Sequence, residues 1–207
     1  NIEIIDKSSD STNQISHLKQ LKKNLSFLFK NEKVIKPGQS IIEQYISSLI
    51  SLYRKNVENE DLCISIIEIF RIICNYNKQI YNLLVKGGCS KNILQSCELT
   101  NNSKLCLDSL QLLKSMCLSK QENLMVIANQ NILFSLFEIR TKFLNEVKIT
   151  ECIDQIVNEI MKLPEQGIHI QEILLDAIKD FHENMKQPFA EEKINNKILN
   201  DLIIIKS

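Results

Sequence analysis

Glycine and proline are scarce in this chain, four and three residues respectively among 207. A β-sheet protein of that length needs a turn roughly every eight to twelve residues, so the scarcity argues for an all-helical fold. An excess of one charge is missing too. Twenty-five basic and twenty-five acidic residues cancel to a formal net charge of zero, leaving no global field to attract nucleic acid or a strongly basic partner. The densest apolar run, Leu62 to Cys74, is interrupted by Glu68 and Arg71, whereas a membrane span needs about 20 predominantly apolar residues. The seven cysteines, at 63, 74, 89, 97, 106, 117 and 152, include no CxxC pair. Most fall in phase with Leu and Ile, where a free thiol behaves as a small hydrophobe. That usage implies a reducing, intracellular compartment, cytoplasmic or nuclear.

What is present reads as helix and core. With 44% hydrophobic and 24% charged residues, the chain can build a sizeable core and is too apolar for general disorder. Its 33 Ile and 21 Asn, alongside abundant Lys, look like the codon bias of an AT-rich genome, so isolated Asn residues carry little structural information. Charge is uneven along the chain: Lys19 to Lys55 holds eight basic and two acidic residues, Glu151 to Lys193 ten acidic and four basic. Ordinary solvated faces are the simpler account of both.

One punctuated cycle, Gly88 to Ala128, organises the rest. The apolar run Tyr81, Leu83, Leu84, Val85 stops at Gly87-Gly88, as expected where glycine takes a left-handed helix cap. Ser90 is read as the cap of a second helix with Ile93, Leu94 and Cys97 inward, and Thr100 to Ser103 as the break that caps the next. From Leu105 apolar residues recur with a period of about 3.6 through Cys117, giving a long third helix. Ser119 to Glu122 has capping-box spacing and restarts the cycle.

Taken in order, residues 1–13 read as a tail or linker. Without an initial methionine, the chain is expected to be a piece of a longer protein. Ile15, Leu18, Leu21, Leu25 and Leu28 predict a helix to about Lys30, and Pro37-Gly38 breaks the pattern. Ser40 and Glu43 form a second expected capping box, before a helix through Tyr53. Asn56 to Asp61 is a loop, Leu62 to Cys74 a buried helix, Asn131 to Asn145 a second-type helix longer than its counterparts, Val147 to Thr150 a link, and Glu151 to Leu163 a third-type helix. Further helices are expected at Ile173 to Met185 and Ala190 to Lys206, the last with an apolar end that must be covered.

Gly38, Gly88 and Gln130 mark equivalent places at offsets of 50 and 42 residues, and long helices start at Leu62, Leu105 and Cys152, 43 and 47 residues apart. A period of about 40 to 47 residues with two or three helices per unit is the signature of armadillo and HEAT repeats. In detail the chain resembles the armadillo family: a short first helix ending at glycine, a second with an anchor at Ile42, Leu94 or Leu136, and a long third. The third helices match its four-residue steps at Leu62, Ile66, Phe70, then Leu105, Ser109, Leu113, then Cys152, Ile156, Ile160. The resemblance implies a right-handed α-α superhelix of three to four repeats within a single solenoid over 14–207, with units 24–76, 77–118, 119–163 and a partial 164–207. One departure narrows its partners. Import adaptors of this family carry Trp and Asn four residues apart on the third helices, where this chain has Glu68 and Ile72, Gln111 and Ser115, Asn158 and Lys162, and no tryptophan anywhere.

Chemistry-bearing residues form no motif. His17, His169 and His182 lie at no metal-ligand spacing, Gly87-Gly88 is too short to cradle phosphate, and Glu60-Asp61 and Glu191-Glu192 suit helix starts. No cofactor is expected and no enzyme activity is read. Lys19, Lys22, Lys23 and Lys30 form the one candidate nucleic-acid face, near Phe27 and Phe29. The expected function is a non-catalytic module or scaffold that binds a protein or peptide partner along the concave face of stacked third helices. Its expected groove residues are Ser65, Glu68, Asp108, Gln111, Ser115, Gln155, Asn158 and Lys162. Alternatives implied by the resemblance are an Hsp70-regulatory armadillo domain and an RNA-binding HEAT-like module.

Overall fold

The chain divides into two compact units, Asn1–Leu163 and Pro164–Ser207. The computed structural model describes residues 11–30, 39–129 and 132–163, all in the first unit. The expected partial fourth repeat, its two helices, His169 and His182 lie outside them.

The described residues are all-helical, without a strand. The helices are α1 (Ser11–Lys30), α2 (Gln39–Lys55), α3 (Glu60–Tyr76), α4 (Ile80–Lys86), α5 (Cys89–Leu99), α6 (Ser103–Ser119), α7 (Gln121–Ala128), α8 (Ile132–Lys142) and α9 (Val147–Met161). Local chemistry explains several of their ends. The Asn59 side chain accepts the Leu62 amide at the start of α3, with Glu60 and Asp61 in the first turn where the helix dipole favours acids. Asn102 accepts from the Lys104 and Leu105 amides at the start of α6. At the α4–α5 junction Gly87 N–H bonds the Leu83 carbonyl at 2.9 Å, and Gly88 adopts φ 76°, a left-handed conformation that glycine enters without a Cβ penalty.

Neighbouring helices pack in three series. α1, α3, α6 and α9 lie against one another in that order; α2, α5 and α8 form a second series, and α2, α4 and α7 a third. The positions expected to knit the long helices are all buried: Leu62, Ile66 and Phe70 on α3, Leu105, Ser109 and Leu113 on α6, Cys152, Ile156 and Ile160 on α9. Leu94 of α5 and Leu136 of α8 are buried as well. Each fully buried Leu or Ile contributes roughly 1.5 to 3 kcal/mol relative to exposure, so these stripes dominate the local energetics. Between α2 and α5, the Tyr53 hydroxyl meets Ser96 Oγ at 2.6 Å. The Tyr53 ring meets Phe70 of α3 edge-on, with centroids 6.5 Å apart.

Several expected boundaries are corrected. Helix α1 begins at Ser11, inside the stretch read as a tail. Ser90 is not a cap: α5 already starts at Cys89, and Ser90 is fully buried. Ser119 does not form a capping box, because it still belongs to α6; its hydroxyl donates back to the Met116 carbonyl and accepts from Asn123 Nδ2. Ser40 likewise lies inside α2 and not before it. Val147 to Thr150 is the first turn of α9 and not a link, since Ile149 is buried and pulls that turn onto the core. Helix α8 has 11 residues, the same as α5, so it is not the longer one.

Candidate functional site

The face shared by α3, α6 and α9 is built by register. Glu68, Gln111 and Asn158 each stand six residues beyond the buried anchors Leu62, Leu105 and Cys152, so packing of the anchors places them at one equivalent helical position. Asp108 and Gln155 each stand three residues beyond Leu105 and Cys152, and Arg71 and Lys114 each nine beyond Leu62 and Leu105. That last equivalence produces a repeated contact. Arg71 of α3 pairs with Asp108 of α6, and Lys114 of α6 donates to Gln155 Oε1 of α9 at 3.0 Å. A third contact joins the preceding helix: Lys22 Nζ of α1 lies 2.5 Å from Glu68 Oε2.

These contacts sort the eight groove candidates. Glu68, Asp108 and Gln155 spend acceptor atoms on the neighbouring helix. Lys162 is held by Glu159 at 2.6 Å. Ser65 is buried and its hydroxyl donates to the Asp61 carbonyl at 2.9 Å, so it offers a wall and not a presented hydroxyl. Ser115 donates to the Gln111 carbonyl at 2.9 Å. It also faces Tyr81 of α4, whose phenol is pushed up by burial and by Cys74, with the Ser115 hydrogen bond opposing. The side chains of Gln111 and Asn158 carry no hydrogen bond or ion pair among the described residues, and Asn158 is exposed. Two side-chain amides at one repeated position are therefore uncommitted among the described residues.

The sequence reading missed the basic partners Lys22, Arg71 and Lys114. The recurrence of Arg71 and Lys114 at one repeat position was the signal that could have found two of them. It also missed that α1 packs on α3. Between those two helices runs a groove of about 750 Å³. Ile15, Phe27 and Ile64 supply its apolar surface, and Lys19, Lys22 and Lys23 line its α1 side. The lysines read as a nucleic-acid face thus share a groove with Ser65 and Glu68. Lys30 belongs to α1, but its side chain is outside the described set. His17 bonds the Asn13 carbonyl through Nδ1 at 2.6 Å.

Most of the thiols have little nucleophilic character. All seven cysteines are buried and free, and burial pushes Cys63, Cys74 and Cys117 up to about 12. At neutral pH such groups stay protonated, and the thiol is the unreactive form. Among the described residues no group of His, Cys, Asp and Glu is placed to hold a metal ion, and no helix is long and apolar enough to cross a membrane.

Comparison with protein-family models, curated proteins and solved structures finds no match to this chain. The functional reading therefore rests on the geometry and on the residue pattern itself.

Proposed function

We propose that the unit ending at Leu163 is an armadillo-like solenoid that acts as a non-catalytic interaction module, taking a protein or peptide partner along the concave face of α3, α6 and α9. One observation carries this reading: Gln111 and Asn158 sit at the same position of successive long helices, and among the described residues their side-chain amides are uncommitted. A side-chain amide offers both a donor and an acceptor, which suits recognition of an extended peptide backbone. The in-order packing of α1, α3, α6 and α9 supports the same reading, because repeat stacking generates extended binding faces.

The test is a peptide-display selection against the purified chain, with hydrogen exchange to map the selected binders. Protection of α3, α6 and α9, together with affinity lost in Gln111→Ala/Asn158→Ala, supports the proposal. Binders that protect α2, α5 and α8 instead, and ignore that double variant, overturn it.

A further inference from the structure

We infer that the groove between α1 and α3 docks an acidic amphipathic segment of a partner protein. The inference deepens the interaction-module reading and rests on it, because the groove opens at the α1 end of the same helix series.

The charges in the groove are unequally committed. Lys22 and Glu68 neutralise one another at 2.5 Å. Asp61 lies in the first turn of α3, where the backbone amides compensate an acid. Lys19 and Lys23 remain. Both are exposed, and neither has an ion-pair or hydrogen-bond partner among the described residues. They stand one helical turn apart on the same edge of α1, an arrangement in which like charges oppose helix formation. An acid laid along that edge relieves the repulsion and gains two attractions. Beside this basic edge the groove is apolar: Ile15 and Ile64 line it, and Phe27 is 66% exposed. An apolar strip flanked by uncompensated lysines is complementary to a helix with leucine-type residues on one face and glutamates or aspartates along its border.

Charge on the opposite wall separates this occupant from nucleic acid. Asp61 and Glu68 line the α3 side, so that wall offers no unpaired cation to a phosphate backbone, which carries charge along its whole length. An amphipathic peptide can set its acidic border against α1 and a neutral or basic border against α3.

The test uses a fluorescently labelled synthetic peptide with leucines at helical spacing and glutamates along one border. Anisotropy is read against the intact chain at low and high salt. Binding should weaken with salt. Replacing the peptide's glutamates by glutamine should reduce affinity about tenfold, and Lys19→Glu/Lys23→Glu by at least as much, since each exposed attraction turns into a repulsion. The milder Lys19→Gln/Lys23→Gln should show a smaller loss in the same direction, and an unchanged circular-dichroism melt confirms that the variants are folded. Gln111→Ala/Asn158→Ala should leave this titration unchanged. Equal binding of the glutamine peptide, indifference to both lysine variants, displacement of the peptide by single-stranded oligouridine, or loss of binding in Gln111→Ala/Asn158→Ala would each overturn the inference. The last outcome would move the peptide to the α6–α9 face and leave the broader interaction-module reading intact. Display-selected binders that map to α2, α5 and α8 would sink that broader reading without affecting this titration.

Discussion

Replacing Ser96 by alanine should destabilise the fold more than removing the hydroxyl that bonds to it. Ser96 Oγ donates its only hydrogen to the Ile93 carbonyl at 2.9 Å. The 2.6 Å contact with Tyr53 must therefore be donated by the phenol. Both residues are fully buried, so water cannot replace either partner. Tyr53→Phe deletes the donor and leaves only a spare lone pair on Ser96, a loss of about 0.5 to 1.5 kcal/mol. Ser96→Ala keeps the phenol, strands its O–H in the core, and should cost about 1 to 3 kcal/mol. With both hydroxyls gone no donor is orphaned, so the double variant should be more stable than the sum of the single changes implies, by about 1 kcal/mol. Urea denaturation with a double-mutant cycle measures this directly. In thermal melts of a unit this size, each kcal/mol corresponds to roughly 2 to 4 °C. The reasoning fails if Tyr53→Phe is the more costly change, or if the two effects add to within about 0.3 kcal/mol.

Alkali should destabilise the fold through its buried thiols. Cys63, Cys74 and Cys117 are raised by burial from an ordinary 9.0 to about 12. Below pH 9 both folded and unfolded chains keep these protons. Between pH 9 and 12 only the unfolded chain releases them, so stability falls as pH rises, by up to about 1.4 kcal/mol per pH unit for each thiol; urea midpoints at pH 8 and pH 10 under reductant should show it. Gly88→Ala should cost about 1 kcal/mol, because φ is 76° there, and Gly88→Asn should cost less, since asparagine tolerates the left-handed region. Thermal melts of the two variants would rank them. Arg71→Ala removes a partly exposed pair with Asp108 and should cost only about 0.2 to 1 kcal/mol, an effect that 1 M salt should shrink.

The buried stripes were legible from periodicity alone. Leu62, Ile66 and Phe70 recur in step, as do Leu105, Ser109 and Leu113, because a helix that must bury one face repeats its apolar residues every three to four positions, and each of these side chains is buried. The cysteines were legible for the same reason. Helix starts were less so: Ser90 and Ser119 carry good capping chemistry, yet burial of Ser90 and continuation of α6 through Ser119 overrode it. Packing free energy summed over a turn exceeds the roughly 1 kcal/mol that one cap supplies.

The sequence by itself determined which residues go inside, because hydrophobic burial acts on a pattern that lies along a single helix. It also placed the long helices in one repeating frame. Only the tertiary structure decided what the polar positions of that frame do. In one dimension Glu68 looked equivalent to Gln111 and Asn158, and Asp108 to Gln155, but helix packing brings Lys22, Arg71 and Lys114 against Glu68, Asp108 and Gln155, while the side chains of Gln111 and Asn158 carry no hydrogen bond or ion pair among the described residues. Charge pairing between helices depends on distances that no single helix contains. The same packing set α1 beside α3 and turned a run of lysines into one wall of a groove.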